Sequence, residues 1–414
     1  MLFRRRLLCV AFLLGYSGVA PAQTISQRGF IEGLAFGFPQ QTSEDRTRVV
    51  GDLLVREEVF VKPARWLLFA AGLDVRANSH DQVENDWRLD LSDRGERRPS
   101  FSIRRLSATL TRGPFTLDVG KQFLRWGKTD IVVPTDRFAP RDYLNVVDSP
   151  FLAVTAVRAT ARAGAHTIEA VWAPRLTPSR VPLLGQRWAV IPPEVAPATA
   201  LVENPPEFPR GGQTGLRWGH SLGTAEYSVS FYDGFNHLPD IRTDAVDVRS
   251  GRIEFSRAYP PIRMYGVDSA VPVSWFTIKG EAAYFTSSSQ TTDEYVMYVV
   301  QLERQSGEWM FVGGYAGEIV TERRAPRTFA PDRGLSRAIV ARAAYTIDTN
   351  RSVEIEGAAR QDGKGLYTRA EYSQARGQHW RATIGAVVIS GDRDDFLGQY
   401  RQNSHVRLSI RYSF

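Results

Sequence analysis

The residue types that catalysis and metal binding use are present in this sequence, but not at the spacings those chemistries need. Six histidines stand at positions 80, 166, 220, 237, 379 and 405, scattered over expected turns, loops and strand ends. A zinc site would set two of them one helical turn apart, as in H-E-x-x-H, and no such pair occurs. No G-x-S-x-G elbow presents a serine, and no glycine-rich loop could cradle a phosphate. "SLGTAEYS" at 221–228 and "NSH" at 403–405 do not differ from ordinary turn and rim residues. We expect no catalytic residue, no metal and no cofactor, and an enzyme is only the third reading of this chain.

Charge is concentrated instead in one stretch, "GKQFLRWGKTDIVVPTDRFAPRDYLN" at 120–145. Here Arg125, Trp126, Asp130, Asp136, Arg137, Arg141 and Asp142 set guanidinium and carboxylate groups close together, a combination that can filter ions in a narrow passage. A strand runs through Gln122 and Arg125 and breaks at Trp126 and Gly127. Beyond it, Pro134 and Pro140 forbid ladder pairing. Phe138 and Tyr143 are apolar enough to fold inward. The loop 126–150 is therefore a candidate pore constriction; equally, it is a surface loop held by Asp and Arg hydrogen bonds.

Either reading needs a scaffold, and the periodicity supplies one. In "SVEIEGAAR", Val353, Ile355, Gly357 and Ala359 share one face while Glu354, Glu356 and Arg360 lie on the other, the period of two of a β-strand. "WRATIGAVV" repeats the pattern, with Trp380, Ile384 and Val388 opposite Arg381 and Thr383. The ending repeats it again, with Val406, Leu408, Ile410, Tyr412 and Phe414 opposite Arg407, Ser409 and Arg411. We place about eighteen such strands, including 29–38, 115–125, 151–162, 263–273 and 405–414. Tight turns at 62–65, 112–114, 163–165, 221–224, 273–274, 304–308, 348–351 and 373–378 alternate with longer, polar connections. "GRIEFSRAYPP" at 251–261 is expected as loop structure, because counting it as a strand would make the number odd.

A soluble β-sandwich also carries one apolar and one polar face. It has no reason to gather its short turns at one end and its long loops at the other. A transmembrane barrel does. The fold class expected is therefore all-β, a transmembrane antiparallel up-and-down β-barrel of about 18 strands. Its last strand would close on its first, leaving no backbone edge in lipid. Tyr412 and Phe414 would sit in the interfacial aromatic girdle, and a terminal strand ending in Phe resembles the signal read by the barrel-assembly machinery.

The other end agrees. Arg4, Arg5 and Arg6 precede an apolar run from Leu7 to Leu14 and small residues closing on Ala20, Pro21 and Ala22, the pattern of a secretory signal peptide. We expect residues 1–22 to be cleaved and 23–414 to form one barrel domain. The single cysteine, Cys9, leaves with the signal, as do three arginines, so the formal charge falls from +7 to +4. That is mildly basic and far from a nucleic-acid footprint. No later run approaches the roughly 20 apolar residues of a membrane helix. A plugged, energy-coupled receptor needs a globular plug before the first strand, and only 23–28 precede it here.

Taking the polar face of each strand as inward puts Arg158, Arg162, Glu169, Arg217, Lys279, Glu281, Arg342, Glu354, Glu356, Arg369, Glu371, Arg381, Arg407 and Arg411 in the lumen. Opposite charges on neighbouring strands can pair across the ladder and simply hold the wall. Residual positive charge in a low-dielectric pore can also draw in anions.

The order R-W-G-K-T-D, P-T-D and P-R-D-Y, in Arg125 to Asp130, Pro134 to Asp136 and Pro140 to Tyr143, resembles the signature region of a family of Gram-negative outer-membrane proteins of unknown function. The resemblance covers about 25 residues. It implies a large porin-like barrel similar in architecture to the alginate-export channel, and it names no solute. The expected function is thus passive diffusion or export of small, anionic solutes by a monomeric channel in the bacterial outer membrane, among its lipids and lipopolysaccharide. The alternative is a barrel whose long loops bind a surface partner or lipopolysaccharide, for which the arginines Arg323, Arg324, Arg327, Arg333 and Arg337 speak.

Overall fold

Alternating sequences of this kind leave a sheet two choices, to stack on another sheet or to close on itself, and this one closes. The computed structural model describes residues 24–191, 195, 199–247, 249–324, 330–331 and 333–414. The expected signal peptide lies outside these residues, as does Arg327. Eighteen antiparallel strands follow one another from Thr24–Gly37 to His405–Ser413. Those two strands pair with each other, from Phe30 opposite Ser413 to Gly37 opposite Val406, and complete the barrel. Every backbone group of the wall can then be satisfied within the sheet.

The alternation reads directly onto the two surfaces. On the last strand Val406, Leu408 and Ile410 point outward and are about half exposed, while His405 and Ser409 are buried within. On Arg351–Arg360, Val353 and Ile355 point out and Glu354 and Glu356 point in. Trp66, Trp275, Trp309 and Trp380 are exposed beside short turns and ring that end of the barrel. Amphipathic rings favour the membrane–water boundary, so this is the interfacial girdle, and Phe414 joins it.

Two strands are shorter than their alternation suggests. The fifth is Phe115–Gln122, not 115–125, and the sixth begins at Val154, not at 151. The reason is local: Phe123, Leu124 and Arg125 leave the ladder, and Arg125 pairs with Asp136 instead. "GRIEFSRAYPP" is also corrected. It contains the strand Arg252–Ala258, which pairs antiparallel with Asp240–Asp247 and parallel with Ala200–Glu203 in a separate three-stranded sheet. The barrel itself keeps its even count because this sheet belongs to the long loops.

The inner face is not uniformly polar. Near the long-loop end Tyr232, Ile262, Met264, Ala283, Phe285, Met297 and Val299 face inward and are buried in one cluster with Leu124, Trp126, Val132 and Phe138. An apolar stripe can face the lumen here because a loop covers it and keeps water off.

Candidate functional site in the lumen

The covering loop is residues 123–153, the stretch singled out by its charge. Its path is set by two anchors. The first is local: the Asp136 carboxylate accepts the backbone N–H of Trp126 at 3.0 Å and also binds the Arg125 guanidinium, so P-T-D folds back on R-W. This gives the motif a physical meaning, since the two parts close a hairpin-like excursion. Trp126 then stacks edge-on against Phe138 at 5.3 Å, and Phe138 against Tyr232 of the wall at 5.1 Å. A Cβ at Gly215 would lie 2.5 Å from both the Trp126 and Phe138 rings, so only glycine lets the loop seat there.

The second anchor lies across the lumen. Glu281, inward on Phe276–Thr286, accepts the Thr129 N–H at 2.7 Å, the Thr129 hydroxyl at 2.8 Å and the Thr135 hydroxyl at 3.1 Å, and the Lys128 N–H also points to it. Next to it Asp130 accepts from Lys279 at 3.2 Å, its N–H donates to Gln301 at 3.1 Å, and Arg342 stands 3.9 Å away. Lys128 reaches Glu226, close to the short-turn end. The loop thus descends far into the barrel and lines it from within.

The seven candidate constriction residues go to five places. Arg125, Trp126 and Asp136 form the local hairpin, and Asp130 bridges to the far wall. Arg137 is buried beneath the loop with its guanidinium 5.1 Å from the Phe285 ring. Arg141 and Arg125 both lie on Phe151, at 3.9 and 3.8 Å from its centroid. Asp142 leaves the passage altogether and joins a buried ion network. Arg98 grips it with a two-pronged fork at 2.8 and 3.1 Å, and Arg180 adds a contact at 3.3 Å. Arg180 also binds Asp93 at 2.8 Å, which Lys121 meets at 2.6 Å. Burial opposes the charge on Asp142, but the Arg98 and Arg180 guanidiniums outweigh it and hold the carboxyl well below its ordinary range.

The expected luminal residues all fall on the inward face. Arg158 binds Asp118 at 2.8 Å, Arg217 binds Asp268 at 3.0 Å and Arg411 binds Glu32 at 2.9 Å. Lys279 also meets Glu303 at 2.6 Å, Arg369 meets Glu371 at 2.6 Å, and Arg407 lies between Asp148 and Glu371. Glu356 accepts from Tyr367 at 3.2 Å. Arg162 lies beside the 164–165 turn, and Arg381 faces Arg411 across the ladder. Sequence reasoning missed the acids Glu32, Glu58, Asp118 and Asp268, although the same alternation puts them on the inner face.

Five of the inward ion pairs are lopsided. Side-chain exposure is 66% for Arg28 against 7% for Glu58, 44% for Arg125 against 5% for Asp136, and 38% for Arg411 against 8% for Glu32. Arg158 with Asp118 and Arg217 with Asp268 follow the same order. Each carboxylate is sunk against the wall while the guanidinium remains open to the passage. Asp130 and Glu303 beside Lys279, Glu226 beside Lys128 and Asp148 beside Arg407 reverse the order.

A second long loop, within 174–212, crosses the mouth. Its Trp188 packs with Phe36, Phe38 and Tyr400, and Arg187 lies 3.8 Å from the Phe38 ring. Asp45 meets His80 at 2.7 Å and the Arg187 N–H at 3.2 Å. Burial works against charge on Asp45, yet Thr47, His80 and Arg187 lower its pKa. Of the arginines in 322–337, Arg324 is engaged with Glu294 and Glu322, and Arg333 with Asp293 and Glu318. His237 is buried, with Ser179 Oγ 2.8 Å from its Nδ1. Burial and the nearby Arg137 and Arg141 press its pKa well down. Cationic neighbours are the opposite of the carboxylate that would orient a catalytic histidine.

No protein-family model matches the chain, and no curated protein matches it. Solved structures do match. Acinetobacter baumannii OccAB4 superposes with a TM-score of 0.55 at 11% identity, over 94% of this chain and 97% of that one. A BenF-like porin from Pseudomonas fluorescens Pf-5 gives 0.55 at 8% identity, over 96% and 99%. Pseudomonas aeruginosa OpdK, solved with vanillate, gives 0.51 at 11% identity, over 94% and 98%. At such identities the likeness is one of fold. What the likeness shows, together with the apolar outer band, is the fold: a closed, eighteen-stranded antiparallel β-barrel like those of these outer-membrane proteins.

Proposed function

We propose that this barrel is a channel for small anionic solutes, with loop 123–153 as its constriction. The observation that carries the reading is the lopsided ion pairing. A pair that buries its carboxylate and presents its guanidinium is neutral in sum but cationic toward the passage, and low-dielectric walls strengthen that field. Arg125 and Arg411 are the most reachable of the ion-paired cations expected to line the pore. The planar guanidinium matches a carboxylate or phosphate with two parallel hydrogen bonds. OpdK, a neighbour in fold, was solved with vanillate, an aromatic carboxylate. The engagement of Arg324 and Arg333 by acids of the neighbouring loop and strands leaves less for a surface ligand, which favours transport over lipopolysaccharide binding.

The test is the reversal potential of single channels in a planar bilayer under a salt gradient. The wild type is expected to conduct with anion preference, and Arg125→Gln with Arg411→Gln is expected to move the reversal potential toward cations. Arg137→Gln, at a buried position, is expected to leave it nearly unchanged. A wild type that is closed or prefers cations overturns the proposal.

A further inference from the structure

Two of the scattered histidines meet. His166 opens the strand His166–Ala173, and His220 lies near the end of Gln213–Leu222. The ladder between these strands puts the two residues directly opposite each other. Their Nδ1 atoms are 3.1 Å apart and their rings 4.4 Å, although 54 residues separate them in sequence. Both side chains point outward, on the face that carries Ile168, Trp172 and Leu216, beside the short turns at 164–165 and 223–224. At that depth the pair is open to water from the short-turn side.

We propose that His166 and His220 form a two-imidazole site for a first-row divalent cation, Cu²⁺ most tightly. A metal–nitrogen bond of about 2.0–2.1 Å with neighbouring ligands at 90–109° requires the two nitrogens to stand about 2.9–3.4 Å apart. The observed 3.1 Å lies inside that range. In the metal-free pair one ring donates its Nδ1–H to the other. To bind a cation both neutral rings take the Nε2–H tautomer, the donating ring moving its proton from Nδ1 to Nε2 through solvent, and both Nδ1 lone pairs then converge on the metal. No net proton is released, and water fills the remaining positions. Imidazole nitrogens suit Cu²⁺, Ni²⁺ and Zn²⁺ rather than Mg²⁺ or Ca²⁺, and the general affinity order puts Cu²⁺ first.

The site is held by its surroundings. Trp218 stacks nearly parallel to His166 at 5.7 Å and to His220 at 6.1 Å, and Tyr227 lies 5.2 Å from His220. These contacts and the fixed register preset the bite between the two nitrogens. Trp218 also provides a reporter, because a paramagnetic Cu²⁺ at this distance quenches indole fluorescence.

The experiment titrates the refolded, tag-free barrel in a non-chelating buffer with CuCl₂ alone, and separately with ZnCl₂ alone, following tryptophan emission and calorimetric heat. One Cu²⁺ per barrel with saturable quenching is expected, with Zn²⁺ weaker. His166→Ala and His220→Ala each remove one arm of the chelate and should weaken Cu²⁺ binding on the order of tenfold or more. Trp218→Phe should abolish most of the quenching while keeping the calorimetric stoichiometry. Gel mobility of unheated samples verifies that every variant is folded. Binding that is absent, non-saturable, or unchanged in both histidine variants overturns the proposal.

Discussion

Gly29 and Phe414 exchange both of their backbone hydrogen bonds at 3.0 Å, joining the first strand to the end of the last. The Phe414 ring lies over the glycine so closely that a Cβ there would stand 2.5 Å from it, and 2.4 Å from the Glu57 carboxylate. A side chain at position 29 would therefore have to push the Phe414 ring and the Glu57 carboxylate aside. Gly29→Val should destabilise closure by about 1–3 kcal/mol, the usual range for overpacking. Deleting Phe414 should relieve the crowding but remove two hydrogen bonds and a girdle ring, slowing assembly. Urea midpoints and the fraction of folded barrel on unheated gels report both; a Gly29→Val barrel as stable as wild type would refute the seam argument.

Glu281 holds the lumen loop from the far wall. Glu281→Ala leaves the Thr129 N–H and the Thr135 hydroxyl without their acceptor, while the Thr129 hydroxyl keeps the Val132 carbonyl, a loss of about 1–3 kcal/mol of anchoring where those donors stay buried. The loop should then move away from the wall cluster, changing single-channel conductance and raising current noise. Glu281→Gln keeps one acceptor oxygen and should fall between. Conductance traces identical to wild type would mean that the apolar contacts of Trp126 and Phe138 hold the loop alone.

The Asp142 network sets an acid limit. Its folded pKa lies below the ordinary value of about 3.9 for an unfolded aspartate. Its stabilisation is therefore complete above that value and is lost only as the pH falls through the lower folded one. Protease resistance of the long loops should be the same at pH 7 and pH 5. Asp142→Asn should reduce it at every pH, because Arg98 loses its two-pronged partner while remaining buried, at a cost of about 3–5 kcal/mol. Resistance that fades between pH 7 and 5 in the wild type would show that another group controls the mouth.

The two faces of one sheet should respond oppositely to the same residue. Ile355 points into lipid, and Ile355→Arg should cost about 2–4 kcal/mol near the midplane. Ser373 faces the wet lumen, and Ser373→Arg should change stability by no more than about 0.5 kcal/mol. Denaturant titration in lipid vesicles compares the two, and equal costs would contradict the assignment of faces.

Much of this molecule was decided residue by residue along the chain. The alternation at Val353–Ala359 or Val406–Phe414 assigns the lipid and water faces because a strand's side chains take opposite sides whatever the partner strand. Short turns and long loops set the direction of each strand, and the same logic already placed Arg158, Arg217 and Arg411 on the inner face. What chain order could not carry is the company these residues keep. Asp136 and Asp142 look equivalent in the sequence, yet one folds the lumen hairpin and the other is sunk among Arg98 and Arg180. Glu281 meets Thr129 across 152 positions, and His166 meets His220 across 54. Such meetings depend on barrel closure and ladder register, which arise from the summed pairing of all strands, and only in three dimensions do they determine which charges are buried and which remain open to a solute.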